Sequence, residues 1–444
     1  VSRILRILTF RGAGVAVFVL SLAACGGGGG GGSTPTPQIS SDIPDLHVVE
    51  TPLPADALAD SVGINTHVNV YGSAPDFQTI VAREKGLGAR HLRDGILDDD
   101  STFDAAMSQL LVAANARLDG ITDCAGIEIL PTSPTSPAQI QAFDVAIGNR
   151  LEAVESPDDI DDRNDANWVA DTLACLPSLR TAEPALPFYA PTLYNQLADA
   201  PALGNISADV DYGNANRYLA GRNPGSAGWG GPDTCGIYGA LSWALCETRL
   251  NSGTKPIVFG GTGYNSVTEV DELTQAKYIS RLLLVNLQAG VSRSYLYDLK
   301  DDGGGLFPAN GLIRADDSTK PAYAAVASEI AFFSDPGPPA AAAALSYSIQ
   351  EPTTSIDHLL FVKRDGTLVL ALWNETPSWN VTTGQEIPVA PEDVGVTFAF
   401  SPRAVAAVSL NDVGALVTKS AVTSQNTISV SVDDHVTLVS FHSI

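Results

Sequence analysis

Carboxylates in this chain stand at the ends of short apolar runs, where a folded scaffold can set them side by side. Asp94 closes Arg90-His91-Leu92-Arg93-Asp94, Glu155 leads into Ser156-Pro157-Asp158-Asp159, and Asp298 follows Tyr295-Leu296-Tyr297. Two carboxyl groups facing one cleft can do acid–base chemistry, one giving a proton and the other taking one. The same run ends carry His67, Arg93, Asn216, Tyr218, Tyr264 and Tyr297, residue types that hold hydroxyl-bearing ligands through hydrogen bonds. Plainer roles stand beside these. Arg93 and Asp94 equally make a structural ion pair, His67 equally serves as a packed core imidazole, and Tyr264 and Tyr297 fit either role. Trp229 lies in the loop Gly225 to Gly231; its small neighbours offer little to bury it, so its ring is expected to stack on a ligand face, with Trp243 and Trp373 in the core. The acidic run Asp158 to Asp165 has the spacing of no calcium loop.

The elements that must position these groups repeat along the chain. From Val62 to Tyr297 the sequence cycles through a short apolar run, a turn and a helix-like stretch, as parallel βα units do. The runs are Val62 to Val68, Arg90 to Asp94, Gly126 to Leu130, Leu151 to Glu155, Phe188 to Tyr194, Val210 to Tyr218, Pro256 to Gly261 and Arg293 to Tyr297. Eight such units close a (β/α)8 TIM barrel, an α/β fold. Asp76 to Lys85, Thr102 to Ala116 and Thr274 to Gln288 read as its helices, with apolar residues every three or four positions. An open doubly wound sheet shares this alternation, but no glycine-rich phosphate loop follows the first strand, and no cofactor is expected.

After Phe332 the pattern changes. Pro336-Gly337-Pro338-Pro339 and an alanine run mark a boundary, and alternating strands follow at Leu359 to Lys363, Leu368 to Trp373, Val396 to Phe400, Ala404 to Leu410, Thr427 to Val432 and Val436 to Phe441. They predict an antiparallel β-sandwich over 336–444 behind a barrel over 46–335, with Leu46 to Glu50 placed to complete the sandwich.

The first 25 residues combine Arg3, Arg6 and Arg11, an apolar run from Gly14 to Leu22, and Leu22-Ala23-Ala24-Cys25, the three-part pattern of an export signal. The ending resembles the lipobox of bacterial lipoproteins, which implies lipidation of Cys25, a membrane anchor and, with Gly26 following, the outer membrane. The glycine and proline-rich stretch over 26–45 reads as a flexible tether. With 25 Lys and Arg against 50 Asp and Glu, the net charge of -25 repels phosphate and argues against a nucleic-acid partner. Cys124, Cys175, Cys235 and Cys246 are an even set in a chain bound for an oxidising compartment. Cys235 with Cys246, and Cys124 with Cys175, are the expected disulfides. The six histidines show no paired spacing near these cysteines, so no metal site is expected.

Gly63-Ile64-Asn65-Thr66-His67, Arg90 to Asp94, Glu155 to Asp159, Asp211 to Tyr218, Thr262-Gly263-Tyr264 and Tyr295 to Leu299 follow one another in the order of the strand-end motifs of clan A glycoside hydrolases, and the chain resembles those similar to family 39. Lys320 to Tyr323 and the hairpin Leu359 to Trp373 extend the resemblance over nearly all of the chain after the leader. It implies a carbohydrate substrate and hydrolysis by two glutamates, one after the fourth strand and one after the seventh; the chain itself is expected to be a monomer. The family pattern of Asn-Glu on the fourth strand falls here on Asp158 and Asp159, and Thr-Glu on the seventh falls on Gly260 and Gly261. Asn216 stands where a histidine is common.

Glycine cannot be a nucleophile, so the resemblance does not carry the retaining mechanism with it. Two readings follow. In one, Asp159 is the acid and Asp298 the base, with Asp94 and Glu155 as further candidates, and the space left at Gly261 takes a water for hydrolysis with inversion. In the other, the barrel has lost its chemistry and binds a glycan.

Overall fold

The computed structural model describes residues 46–68, 72, 77–97, 100–124, 135–161, 166–302, 308–350 and 355–443. Cys25, the tether and the run Gly126 to Leu130 lie outside them.

Eight parallel strands form the barrel: Val62–Asn65, His91–Gly95, Arg117–Ile121, Leu151–Glu155, Phe188–Tyr189, Gly213–Tyr218, Ile257–Gly263 and Val291–Leu296. Each except the fifth pairs with the next in chain order, and the first pairs with the eighth. An isolated parallel bridge between Tyr189 and Tyr212 joins the fifth strand to the sixth. The third strand is Arg117–Ile121 and not Gly126 to Leu130. Its sequence reads as polar because Asp119, which is fully enclosed, interrupts the apolar pattern.

Local chemistry sets the helix ends. Asp100 accepts from the backbone of Thr102 and Phe103 to start Ser101–Ala114, which ends on Asn115 in the left-handed conformation. Ser136 and Gln139 form a capping box ahead of Pro137–Ala146. The helices bury Leu110, Leu111, Ile140, Leu282 and Leu283 against the outward faces of the strands in one continuous core. Among the described residues no helix is long and apolar enough to cross a membrane.

Two sheets make the sandwich, antiparallel but for the parallel pairing of Leu53–Pro54 with Ile356–Val362. One orders Leu46–Glu50, Leu345–Gln350, Glu392–Phe398, Thr427–Val432 and Ala421–Ser424; the other orders Leu53–Pro54, Ile356–Val362, Leu368–Asn374, Thr437–His442, Arg403–Leu410 and Leu416–Lys419. Residues 46–54 therefore join the sandwich before the chain enters the barrel. Tyr347, Leu360, Leu370, Val396 and Phe441 fill the space between the sheets. The outer face of the second sheet, with Phe361, Val369 and Trp373, shares the core of the barrel helices. Arg281, buried in helix Glu272–Gln288, donates to the carbonyls of Asn374 and Thr376 at 2.6 and 3.1 Å. Barrel and sandwich thus make one compact body over Ile43–Ile444.

Both expected disulfides are present, Cys124–Cys175 and Cys235–Cys246.

Candidate active site

The site lies at the carboxyl ends of the barrel strands, and Arg93 on the second strand is its pivot. The guanidinium is 2% exposed. Its Nε and Nη2 donate to the two oxygens of Glu155 at 2.8 and 2.6 Å, Nη1 donates to Asn65 Oδ1 at 2.8 Å, and Nη2 also lies 3.0 Å from Asp158. One cation thereby neutralises an enclosed carboxylate and a partly exposed one. Glu155 is 0% exposed and wholly engaged, so it serves to fix Arg93 and cannot meet a substrate. Asp119 beside it is fully enclosed; burial, then the Glu155 charge, pushes its carboxyl well above the ordinary range.

Asp158 and Asp159 follow the fourth strand and share two partners. The Thr192 hydroxyl donates to Asp158 and lies 3.2 Å from Asp159 Oδ1, while the Asn216 amide lies 3.2 Å from Asp158 Oδ1 and 2.9 Å from Asp159 Oδ1. Asp159 also takes a left-handed backbone, with φ of 46°, and its N–H donates to Thr192 at 2.8 Å. The two carboxyls are driven apart in acidity. Burial opposes the charge on Asp158, but Arg93, Thr192 and Asn216 outweigh it and hold the group below its usual value. Burial and then the Asp158 charge push Asp159 up to about 7. An ionised carboxylate beside a half-protonated one is a proton donor poised for neutral pH.

Asp298 and His67 face each other across the ends of the eighth and first strands, with Nδ1 3.4 Å from Oδ2. The His67 side chain is 30% exposed and that of Asp298 3%. Asp298 is therefore shielded, and a base in direct contact with substrate water is not what its burial allows. Burial raises its pKa while His67 pulls the other way. Asp94 is no base either. Its enclosed carboxylate accepts from the Thr66 hydroxyl at 2.9 Å and the Val68 N–H at 2.6 Å, which fixes the turn that carries His67.

The seventh strand explains its own glycines. It bulges between Phe259 and Thr262, and a Cβ at Gly260 would lie 2.9 Å from Asn214 Oδ1 and 3.1 Å from Arg93 Nε. A Cβ at Gly261 would lie 2.7 Å from both Asn216 Oδ1 and the Tyr218 hydroxyl oxygen. The place of a seventh-strand nucleophile is thus taken by side chains of the sixth strand. Tyr218 and Tyr297, both half-buried, meet edge to face at 6.3 Å between the centroids.

Two expected ligand contacts belong elsewhere. Tyr264 is wholly buried, with its hydroxyl on the Arg222 carbonyl at 2.8 Å, and packs against Tyr278 in the core. Trp229 is half-buried: Arg222 sits 4.4 Å over its ring, Tyr238 meets its edge, and Gly239 lies against it so closely that a Cβ would be 2.3 Å away. Glycine, expected to leave the ring bare, instead lets backbone cover it. Thr192 and Asn65 are site residues that sequence reasoning passed over. Thr192 follows the fifth strand after Pro191, where a lone hydroxyl carries no pattern.

Among the described residues two clusters have metal-ligand types. Asp233, Cys235 and Glu247 lose Cys235 to its disulfide. Asp433, Asp434 and His435 already face Lys419 at 3.4 Å and Lys277 at 3.1 Å.

No protein-family model matches the chain and no curated protein does. Solved structures do. A family 39 glycoside hydrolase from Bacteroides cellulosilyticus WH2 is 15% identical with a TM-score of 0.59, over 89% of this chain and 83% of that one. A family 51 α-L-arabinofuranosidase from Bifidobacterium longum is 10% identical with a TM-score of 0.56, over 89% and 98%. A family 39 β-xylosidase from Caulobacter crescentus is 11% identical with a TM-score of 0.53, over 89% and 98%. The chain has the fold of clan A glycoside hydrolases, a (β/α)8 barrel with a β-sandwich.

Proposed function

We propose that this chain is a secreted glycoside hydrolase that works by inversion, with Asp159 as the proton donor. The observation that carries this reading is the Asp158–Asp159 pair, two carboxyls on shared partners with their acidities driven apart, at the strand ends where barrel enzymes keep their chemistry. The filled space at Gly261 argues against a covalent intermediate there. A second group across the cleft must then activate water, and Asp298 contributes to it through His67. The similar structures include an arabinofuranosidase and a xylosidase, so pentose-containing oligosaccharides are the first substrates to try. By the lipobox reading, Cys25 anchors the enzyme to the outer membrane, facing the periplasm or the cell surface.

The seventh-strand glycines also favour a second reading, a glycan-binding lipoprotein whose barrel has lost catalysis. A panel of oligosaccharides separates the two. Under the hydrolase reading the wild type cleaves at least one of them, and Asp159→Asn binds it with near wild-type affinity while cleaving it at least about 100-fold more slowly. Binding without cleavage by the wild type leaves the second reading.

A further inference from the structure

The turn after the first strand is built to present one side chain. His67 holds a left-handed backbone with φ of 50°, a conformation that residues other than glycine adopt mainly when their surroundings impose it. Here the surroundings do. Asp94 grips the residues on both sides, Thr66 and Val68, while Thr66 N–H donates to the Arg93 carbonyl at 3.1 Å. Leu299 N–H donates to the Asn65 carbonyl at 3.0 Å, tying the chain beyond the eighth strand to the first. This tie holds Asp298 behind the imidazole. The Asp298 side chain is buried, with Oδ2 toward His67 Nδ1 at 3.4 Å. The imidazole itself is 30% exposed, and its Nε2 has no partner among the described residues. A packed core histidine has both nitrogens enclosed; this side chain is 30% exposed, with Nδ1 toward a carboxylate.

Its place relative to the acid pair follows from the rings between them. Tyr297 lies edge-on to His67 at 5.0 Å and to Tyr218 at 6.3 Å, and the Tyr218 hydroxyl borders the same space as Asn216, the residue that binds Asp158 and Asp159. A chain of ring contacts, His67 to Tyr297 to Tyr218, thus leads from the imidazole to the neighbourhood of the acid pair.

We propose that His67 is a catalytic residue of the hydrolysis inferred above, accepting at Nε2 the proton of the attacking water, and that Asp298 is its positioning residue. The assignment rests on the hydrolase reading. In the step, the water oxygen bonds to the anomeric carbon as its proton passes to His67, the bond from that carbon to the leaving oxygen breaks, and the Asp159 proton goes to that oxygen. Solvent then takes the proton from His67 and returns one to Asp159. The charged groups facing the imidazole are Asp298, Asp94 and Arg93. Burial works against its protonation, but the Asp298 carboxylate outweighs burial and sets its pKa above the ordinary value.

The test uses the whole secreted chain and any oligosaccharide the wild type cleaves. His67→Gly suits the left-handed backbone, and His67→Asn, also tolerant of it, guards against a folding loss. Both are expected to lower kcat at least about 100-fold with KM little changed, and added imidazole is expected to restore His67→Gly at least tenfold. Asp298→Asn is expected to move the acidic limb of the pH–rate profile to lower pH, since the imidazole then loses its proton more readily. Retention by either His67 variant of more than a tenth of wild-type kcat overturns the assignment while leaving the hydrolase reading intact. So does a loss that imidazole does not rescue, together with an unmoved acidic limb in Asp298→Asn. A wild type that cleaves nothing overturns the hydrolase reading, and this assignment with it.

Discussion

Gly261 and Tyr218 border a single space: a Cβ on the glycine would lie 2.7 Å from the tyrosine hydroxyl oxygen. Gly261→Glu therefore does not rebuild a nucleophile. The new side chain has to displace Tyr218 and Asn216, costing about 1–3 kcal/mol of stability and disturbing the amide that holds Asp159. We expect hydrolysis to fall about 100-fold through that misplacement, and combining Gly261→Glu with Tyr218→Ala to recover part of the stability in urea unfolding. Increased activity in Gly261→Glu alone would point instead to a decayed retaining enzyme.

Arg93→Met should be among the most damaging substitutions in the barrel. It leaves Glu155 fully enclosed and Asp158 partly enclosed with no countercharge, at a cost of about 3–5 kcal/mol. Chemical denaturation measures it, and Arg93→Met with Glu155→Gln should be less destabilised than Arg93→Met alone. Equal stability of the single variant and the wild type would remove Arg93 from its central role.

How much of this was legible in the sequence depended on which face of each strand carried the signal. Leu151–Glu155 and Thr427–Val432 lie where their apolar runs predict. Arg117–Ile121 does not, because the barrel encloses Asp119 on a strand that reads as polar. Leu416–Lys419 and Ala421–Ser424 are largely exposed edge strands with little apolar pattern to find. In the site, Arg93, Asp158, Asp159 and Asn216 could be found by the order of their motifs. Thr192 could not, since its role comes from a contact 34 residues back in the chain, and the cover over Trp229 comes from Arg222, Tyr238 and Gly239, which local composition does not announce.

Glu84 gives the fold a pH dependence of its own. It is 0% exposed, neither oxygen has a hydrogen-bond partner, and burial pushes its pKa from 4.5 up to about 8. A folded-state pKa raised in this way means that the unfolded chain ionises first. The contribution to stability is fully present below about pH 4.5 and is lost as pH rises to about 8. Glu84→Met should remove that slope, and unfolding free energies at pH 5 and pH 9 should show the variant gaining over the wild type by a few kcal/mol at the higher pH. An equal difference at both pH values would mean that Glu84 is not neutral in the fold.

Anchoring is tested apart from catalysis. Cys25→Ser should move the chain from the membrane fraction to the soluble fraction with its hydrolytic rate unchanged, because the thiol is needed for lipidation and the site lies in the barrel. Membrane retention of Cys25→Ser would rule out the lipid anchor.

The central claim, that Asp159 donates a proton to a leaving oxygen in a site with no nucleophile at Gly261, fixes the stereochemistry of the product. Proton NMR of the first sugar released, recorded before mutarotation, reads it directly. The account predicts the anomer opposite to that of the substrate; release of the same anomer would contradict it, because retention requires a covalent partner that the seventh strand does not supply.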